Sequence, residues 1–324
     1  MMQIIAIGLG AGLAAGLLFA SVVSASPLAI PLFYLAPLPV LLAGLGWSHW
    51  SALIAAVIAA AGLGLSYGTA LFLVSLLGIG LPAWWLCYLA LLARPGATAA
   101  PESLEWYPVG RLVLWAAIIG ALVVVATLAR FGLDPESVQT GLRQALTVLF
   151  GAARPGLDDA RIPGSGTTEA AELIEWLVVW IPRTAAIPST ITTVLNLWIA
   201  GRIVRTSGRL KRPWPDLSAM TFPPMVPVVL AAAFAATFAP GPIGVIAWPL
   251  AASLATAYML AGFAVLHATT RGLNGRVFIL TGSYLTVMMF RWPIVVIVLL
   301  GLIDAALDIR GRVARRRRPA APRT

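Results

Sequence analysis

Two sets of polar residues interrupt an otherwise apolar chain. In the run 174–201, Arg183 stands nine residues past Ile174, about 13 Å along a helix, with Pro182 and Pro188 on either side. Ser189, Thr193 and Asn196 continue along one helical stripe. A guanidinium, two hydroxyls and a carboxamide in that array suit an anionic or zwitterionic group held by charge-assisted hydrogen bonds. An arginine at membrane depth is expensive and should face the interior with a partner. Glu172 or Glu175 would be a structural partner, and an anionic ligand a functional one. The second set closes the chain. GLIDAALDIRGRVARRRR (301–318) places Asp304 about 9 Å short of Arg310 and Asp308 one turn later. Asp308 and Arg312 are four apart and can pair on a helix surface. Asp304 and Asp308 share a face and repel when both are ionised, so Asp304 needs Arg271, Arg276, Arg291 or a proton. The plainer reading of Asp304 is an anchor at the helix end.

The elements that must position these residues are membrane helices. Only 10% of the 324 residues are charged and 60% are hydrophobic, against roughly 25% charged in soluble domains. That composition belongs to a polytopic membrane protein. We expect an all-α transmembrane bundle of 8–10 spans forming a single integral-membrane domain over 1–324. Within it lie an N-terminal four-helix half (1–93), a connector (94–173), C-terminal helices (174–309) and a basic tail (310–324). Apolar runs of spanning length fall at about 4–24, 28–47, 49–68, 70–93, 109–130, 174–201, 224–239 and 243–268. The shorter runs 277–290 and 294–309 are either two compact spans or a hairpin entering from one side. No Lys or Arg precedes Arg94, so the first run reads as a retained helix rather than a signal peptide.

The net charge of +10 is carried by arginine in the loops, Lys211 being the only lysine. This is the positive-inside pattern, not a nucleic-acid footprint. RIVRTSGRLKR (202–212) and RGRVARRRRPAAPR (310–323) should face the cytoplasm of a bacterial inner membrane, with both termini on that side. The segment 131–173 then lies outside. There DPESVQTGLRQALTVLFGAA (134–153) has Asp134 as N-cap and Pro135 at the first helical position. Val138, Leu142, Leu146, Leu149 and Phe150 fall on one face. This is an amphipathic helix that either lies in the interface or packs as a lid on the bundle's outer mouth. GLDDARIPGSGTTE (156–169) reads as loop.

Gly8, Gly12 and Gly16 repeat every four residues and let backbones approach closely. Ala52, Ala56, Ala60, Gly64 and Gly68 repeat the device. The stripes serve internal packing or, on the sharper reading, dock a partner membrane protein. GLGAGLAAG (8–16) follows no strand, so it is not a dinucleotide loop. Pro27, Pro31, Pro37 and Pro39 should break the second run. Broken helices at membrane depth line cavities or are buried in protein, so Pro37 and Pro39 join the candidate binding residues.

With one cysteine, Cys87, there is no disulfide within the chain. His49 and His267 are isolated, so we expect no metal and no cofactor. No GKS/T, HExxH or GxSxG stretch is present, and the chain reads as non-enzymatic.

Two stretches, YLAPLPVLLAGLGW (34–47) and GLIDAALDIRGR (301–312), resemble the YybS-like family of predicted bacterial membrane proteins of unknown function. That family is similar in pattern to the substrate-binding S components of energy-coupling-factor transporters. In those, small-residue stripes on the first helix dock a coupling protein, a role that the resemblance maps onto Gly8, Gly12 and Gly16. The leading expectation is a substrate-binding or transport-type core for a small anionic or zwitterionic molecule or lipid. The rival is an accessory scaffold of envelope assembly acting through helix–helix contacts. The partners expected are the bilayer and another membrane protein, not nucleic acid.

Overall fold

The computed structural model describes residues 1–24, 28–96, 104–152, 167–290 and 292–317. Arg291, the tail from 318 and most of the expected loop at 156–169 lie outside these residues. Its last three positions open a helix instead.

Seven helical segments among the described residues are long and apolar enough to cross a bilayer. The first is α1 (Met2–Ala20) with a 3-10 turn to Ser24. The second is α2 (Ala29–Tyr34) continued by α3 (Pro37–Gly46). Next come α4 (His49–Tyr67), and α5 (Thr69–Ser75) joined through a π turn at Leu76–Gly80 to α6 (Leu81–Ala90). A hairpin of β1 (Ala93–Pro95) and β2 (Leu104–Trp106) pairs antiparallel before α7 (Val109–Ala129). Then α8 (Pro135–Ala152) and α9 (Thr167–Thr184) precede α10 (Ala186–Thr206). After α11 (Val226–Ala236) comes the long α12 (Pro242–Thr269). The chain closes with α13 (Arg276–Met289), α14 (Pro293–Leu307) and α15 (Ile309–Arg317).

The glycine stripe of α1 is spent on α4. A Cβ on Gly8 would come within 2.7 Å of Ile54, and one on Gly12 within 2.7 Å of the Ala55 carbonyl and Ile58. Gly16 faces Ala59. Ala55 and Ala59 are buried on the side of α4 that faces α1, whereas Ala52 and Ala56 of the second stripe meet Gly44 of α3 and Gly80 of the π turn. Flat surfaces of small residues bring the two backbones together, and dispersion contact over that length replaces the missing side chains.

The proline break has a definite outcome. With no N–H on Pro37 or Pro39, Leu38 N bonds back three residues to Leu35, leaving the Tyr34 carbonyl without its helical donor. Asn196 Nδ2 of α10 donates to that carbonyl at 2.8 Å. Asn196, itself buried, therefore completes the break that the half-buried Pro37 and Pro39 make. A single fold-level constraint places a carboxamide opposite a helix that cannot satisfy itself.

The run expected as one span at 174–201 is divided at Ala185, and the spanning helix is Ala186–Thr206. Pro182 and Pro188 cannot donate to the carbonyls four residues back, so the helix turns there. Arg183 is consequently not deep within a span. It sits in the last turn of α9, where its Nη1 donates to the Val179 carbonyl and its guanidinium lies over Trp180 and Trp248. Glu175, considered as its partner, instead forms a bidentate pair with Arg143 of α8 at 2.5 and 2.8 Å.

That pair ties α8 to α9. Asp134 caps α8 as expected, accepting from Glu136 N. Val138, Leu142 and Leu146 are buried against Val124 and Leu128 of α7 and Val178 of α9. The apolar face is thus turned onto protein, the lid arrangement, while Leu149 is exposed.

The arginine-rich segments gather at the other end of the bundle. Lys211 Nζ donates to the Trp47 carbonyl, and Arg212 to the carbonyls of Ala90 and Tyr107. Arg310 donates to Ser218 O. The ends of α3, α6, α10, α12 and α14 and the start of α7 therefore share one face, called here the arginine end. α13 and α14 both have their outer ends there. At 14 and 15 residues they reach about 21–22 Å, short of the roughly 30 Å hydrocarbon core. α14 crosses α12 where Gly262 and Gly301 meet, and a side chain at Gly262 would strike the Ile297 carbonyl.

Candidate functional site

The residues between α10 and α11 form the floor of the arginine end, and sequence explains their course. Helices end with carbonyls that lack donors, and nearby Lys or Arg side chains satisfy them. Arg212 and Lys211 do this for α6 and α3. The aromatic rings give the other arginines a place to lie: Arg202 and Arg205 over Trp214, Arg209 over Trp47. Gly201 leaves room for Trp214, whose ring would be 3.4 Å from any Cβ there. Asp216 then caps a short 3-10 turn (Leu217–Ala219), accepting from Ser218 N at 3.0 Å and Ser218 Oγ at 2.7 Å.

This floor, α7, α10, α12 and α13 enclose a cavity of about 910 Å³. Its deep wall is apolar: Ile191, Val194 and Leu195 from α10, Leu260, Phe263 and Ala264 from α12. Its polar groups collect at the arginine end: Arg212, Asp216, His267, Arg271, Arg276 and Tyr284. Arg271 holds Asp216 through Nη2 at 2.9 and 3.0 Å. The Asp216 carboxyl lies below its ordinary range, first because Ser218 donates its hydroxyl, then through the Ser218 amide and Arg271. Arg212 is pushed the other way, down from its usual value, by burial, and its Nε is buried without a partner. The Arg276 backbone N–H donates to the Leu273 carbonyl, while its guanidinium has no hydrogen-bond or ion-pair partner among the described residues. His267 Nε2 lies 3.0 Å from Tyr284 Oη, and Tyr284 stacks on Phe263 at 4.5 Å. Three guanidinium groups against one carboxylate leave an excess of two positive charges around an apolar chamber. That arrangement is complementary to a small anion carrying an apolar portion.

None of the candidate binding or docking residues taken from the sequence lines this cavity, although Arg271 and Arg276, considered there as partners of Asp304, do. Arg183 is near the far end of the bundle. Thr193 Oγ1 bonds to the Ser189 carbonyl, and Ser189 and Thr190 pack on Gly120 of α7. Asn196 serves the proline break at Pro37 and Pro39 through the Tyr34 carbonyl. Asp304 lines a second cavity of about 820 Å³ between α12, α14, α15 and the 216–227 segment. Its partner is neither Arg271 nor Arg276 but Arg310: Nε at 2.8 Å, Nη2 at 2.7 Å and the backbone N at 3.0 Å. The reason is a sharp turn. Asp308 takes the left-handed conformation (φ 49°), which short acidic side chains tolerate, and folds α15 back onto the end of α14. Asp308 itself accepts from Gly311 N and pairs with Arg315, not Arg312. Gly8, Gly12 and Gly16 are covered by α4.

The cavity residues carried a weak signal in the sequence. Arg212 reads as a topology-setting loop charge, Arg271 and Arg276 as candidate partners of Asp304, and His267 as an isolated histidine. Only the closeness of His267 to two arginines in sequence hinted at a shared site.

A match to a family described as "Predicted membrane protein (DUF2232)" runs over residues 13–305. The chain belongs to that family. The DUF2232 match takes in every residue lining the cavity and agrees with the resemblance to YybS-like membrane proteins. No curated protein and no solved structure matches the chain.

Proposed function

We propose that this DUF2232 protein binds a small anionic or zwitterionic molecule at its arginine end, as a non-enzymatic, transport-type core. The observation that carries this reading is the surplus of guanidinium charge over an apolar chamber of about 910 Å³. A pocket of that size and lining suits a drug-sized ligand oriented by few polar groups. Arg276 is the guanidinium left for it, while Arg271 is engaged with Asp216 and Arg212 with the Ala90 and Tyr107 carbonyls.

The arginine end is the cytoplasmic side of a bacterial inner membrane on this reading, with both termini there. The clustering of 202–212 and 310–317 at one end supports that orientation through the positive-inside rule. Movement of the ligand across the membrane would draw on a partner ATPase or an ion gradient. The scaffold reading has less to support it, since the stripe that motivated it packs on α4.

The test is thermal stabilisation of the purified protein by a panel of anionic, zwitterionic and neutral small molecules and lipids. Anionic members should raise the melting temperature, and Arg276→Gln should abolish the rise without lowering the unliganded value. A flat profile across the panel overturns the reading.

A further inference from the structure

Resting on that reading, we infer that the ligand is a membrane lipid with a phosphate head, entering sideways between α10 and α13 rather than from water. Depth and exposure carry the inference. Lining residues run from Ile191 to Gly201 on α10, about 15 Å at helical rise, beside Leu260 to His267 on α12 and Arg271 just past its end. That is half the roughly 30 Å hydrocarbon core, the depth of one leaflet. The polarity is graded as a leaflet is: guanidinium groups at the surface level and aliphatic and aromatic side chains below. A water-soluble anion would use only the mouth of this shaft. An acyl chain would use all of it, each buried methylene contributing about 0.8 kcal/mol.

On this inference the cavity opens toward the bilayer. Leu195 is 47% exposed, Trp198 43% and Tyr284 46%, although all three line the cavity. They lie on α10 and α13, so the wall is incomplete between those helices. α13 buries no residue of its own and leans on the bundle through the Tyr284–Phe263 stack. Arg276, at the first position of α13, stands where the headgroup of a lipid in that slot would lie. A phosphate there would receive charge-assisted bonds from Arg276, with Arg212 and Arg271 adjoining.

The test places a bimane fluorophore at Leu195→Cys in the full-length protein in nanodiscs; Cys87 is fully buried and does not label. Leu299→Cys on α14, 49% exposed and outside both cavities, is the control for lipid around the protein. Chain-brominated phosphatidic acid should quench at Leu195→Cys at about tenfold lower mole fraction than brominated phosphatidylcholine. Arg276→Gln should remove most of that preference, the fold-change of one charge-assisted bond. Equal quenching by the two lipids, or the same preference at Leu299→Cys, overturns the inference. Glycerol phosphate that stabilises the protein without any lipid preference would overturn it while leaving the anion-binding reading intact. Silence toward both lipid and soluble phosphate overturns both.

Discussion

Removing the Asp304 carboxylate should be among the most damaging single changes outside the bundle core. Its side chain is 4% exposed and that of Arg310 14%. Arg310 gives Asp304 three of its donors and hands a fourth, Nη1, to Ser218 O at 2.8 Å. Arginine cannot shed its proton, so Asp304→Leu leaves a cation with nowhere to discharge. Breaking one side of a buried pair costs about 3–5 kcal/mol. Arg310 lies near the surface and can partly swing to water, which puts the expectation at about 3 kcal/mol. Arg310→Met should cost a comparable amount through the stranded carboxylate. The double variant has no stranded charge and should lose less than the sum of the singles, with a coupling of about 2 kcal/mol. Unfolding in mixed micelles titrated with SDS reads all four corners of the cycle. An Asp304→Leu protein within 0.5 kcal/mol of wild type (roughly the noise of such a cycle), or strictly additive singles, would refute the assignment of this pair as a latch.

Gly262→Leu should prevent α14 from seating on α12, because the new side chain meets the Ile297 carbonyl backbone, and the variant should be lost to proteolysis between α12 and α14. Asn196→Leu should cost about 1–3 kcal/mol in the same SDS titration by stranding the Tyr34 carbonyl; a neutral result would show that the break satisfies itself. The depressed Asp216 carboxyl contributes stability that is complete above its unfolded value near 3.9 and is lost as pH falls through the lower folded value. Melting of wild type and Asp216→Asn should therefore differ by a constant amount from pH 8 to pH 5 and converge below about pH 4. Reporter fusions after Ser207 and after Arg317 should report the same side of the membrane.

Much of the fold was legible because lipid as solvent leaves few options: apolar runs of spanning length must be helices. The prolines of the second run break it, although Pro249 sits within an unbroken α12. The runs at 49–68, 109–130 and 243–268 map onto α4, α7 and α12 with end shifts of one residue or so. The run at 174–201 misled because hydropathy does not register a turn at Ala185, where two prolines divide a helix lying on the bundle from one passing through it. The candidate site was less legible still. Arg183 drew notice as a charge in an apolar run, yet a terminal turn and two tryptophan faces accommodate it. Arg212 read as a loop charge, and Arg271 and Arg276 as partners for Asp304, because the convergence of the three joins residues up to 64 positions apart.

By itself the sequence determined that this chain is a membrane helix bundle, where several of its helices begin and end, and that its second apolar run is broken. These follow from local transfer free energies and the backbone's need for internal hydrogen bonds. Only the tertiary structure decided that the glycine stripe of α1 is filled by α4, that Asn196 completes the broken α2–α3 helix, that Asp304 is held by Arg310, and that three arginines rim one apolar chamber. Those outcomes depend on which helix faces meet and at what depth, which packing sets and no local pattern encodes.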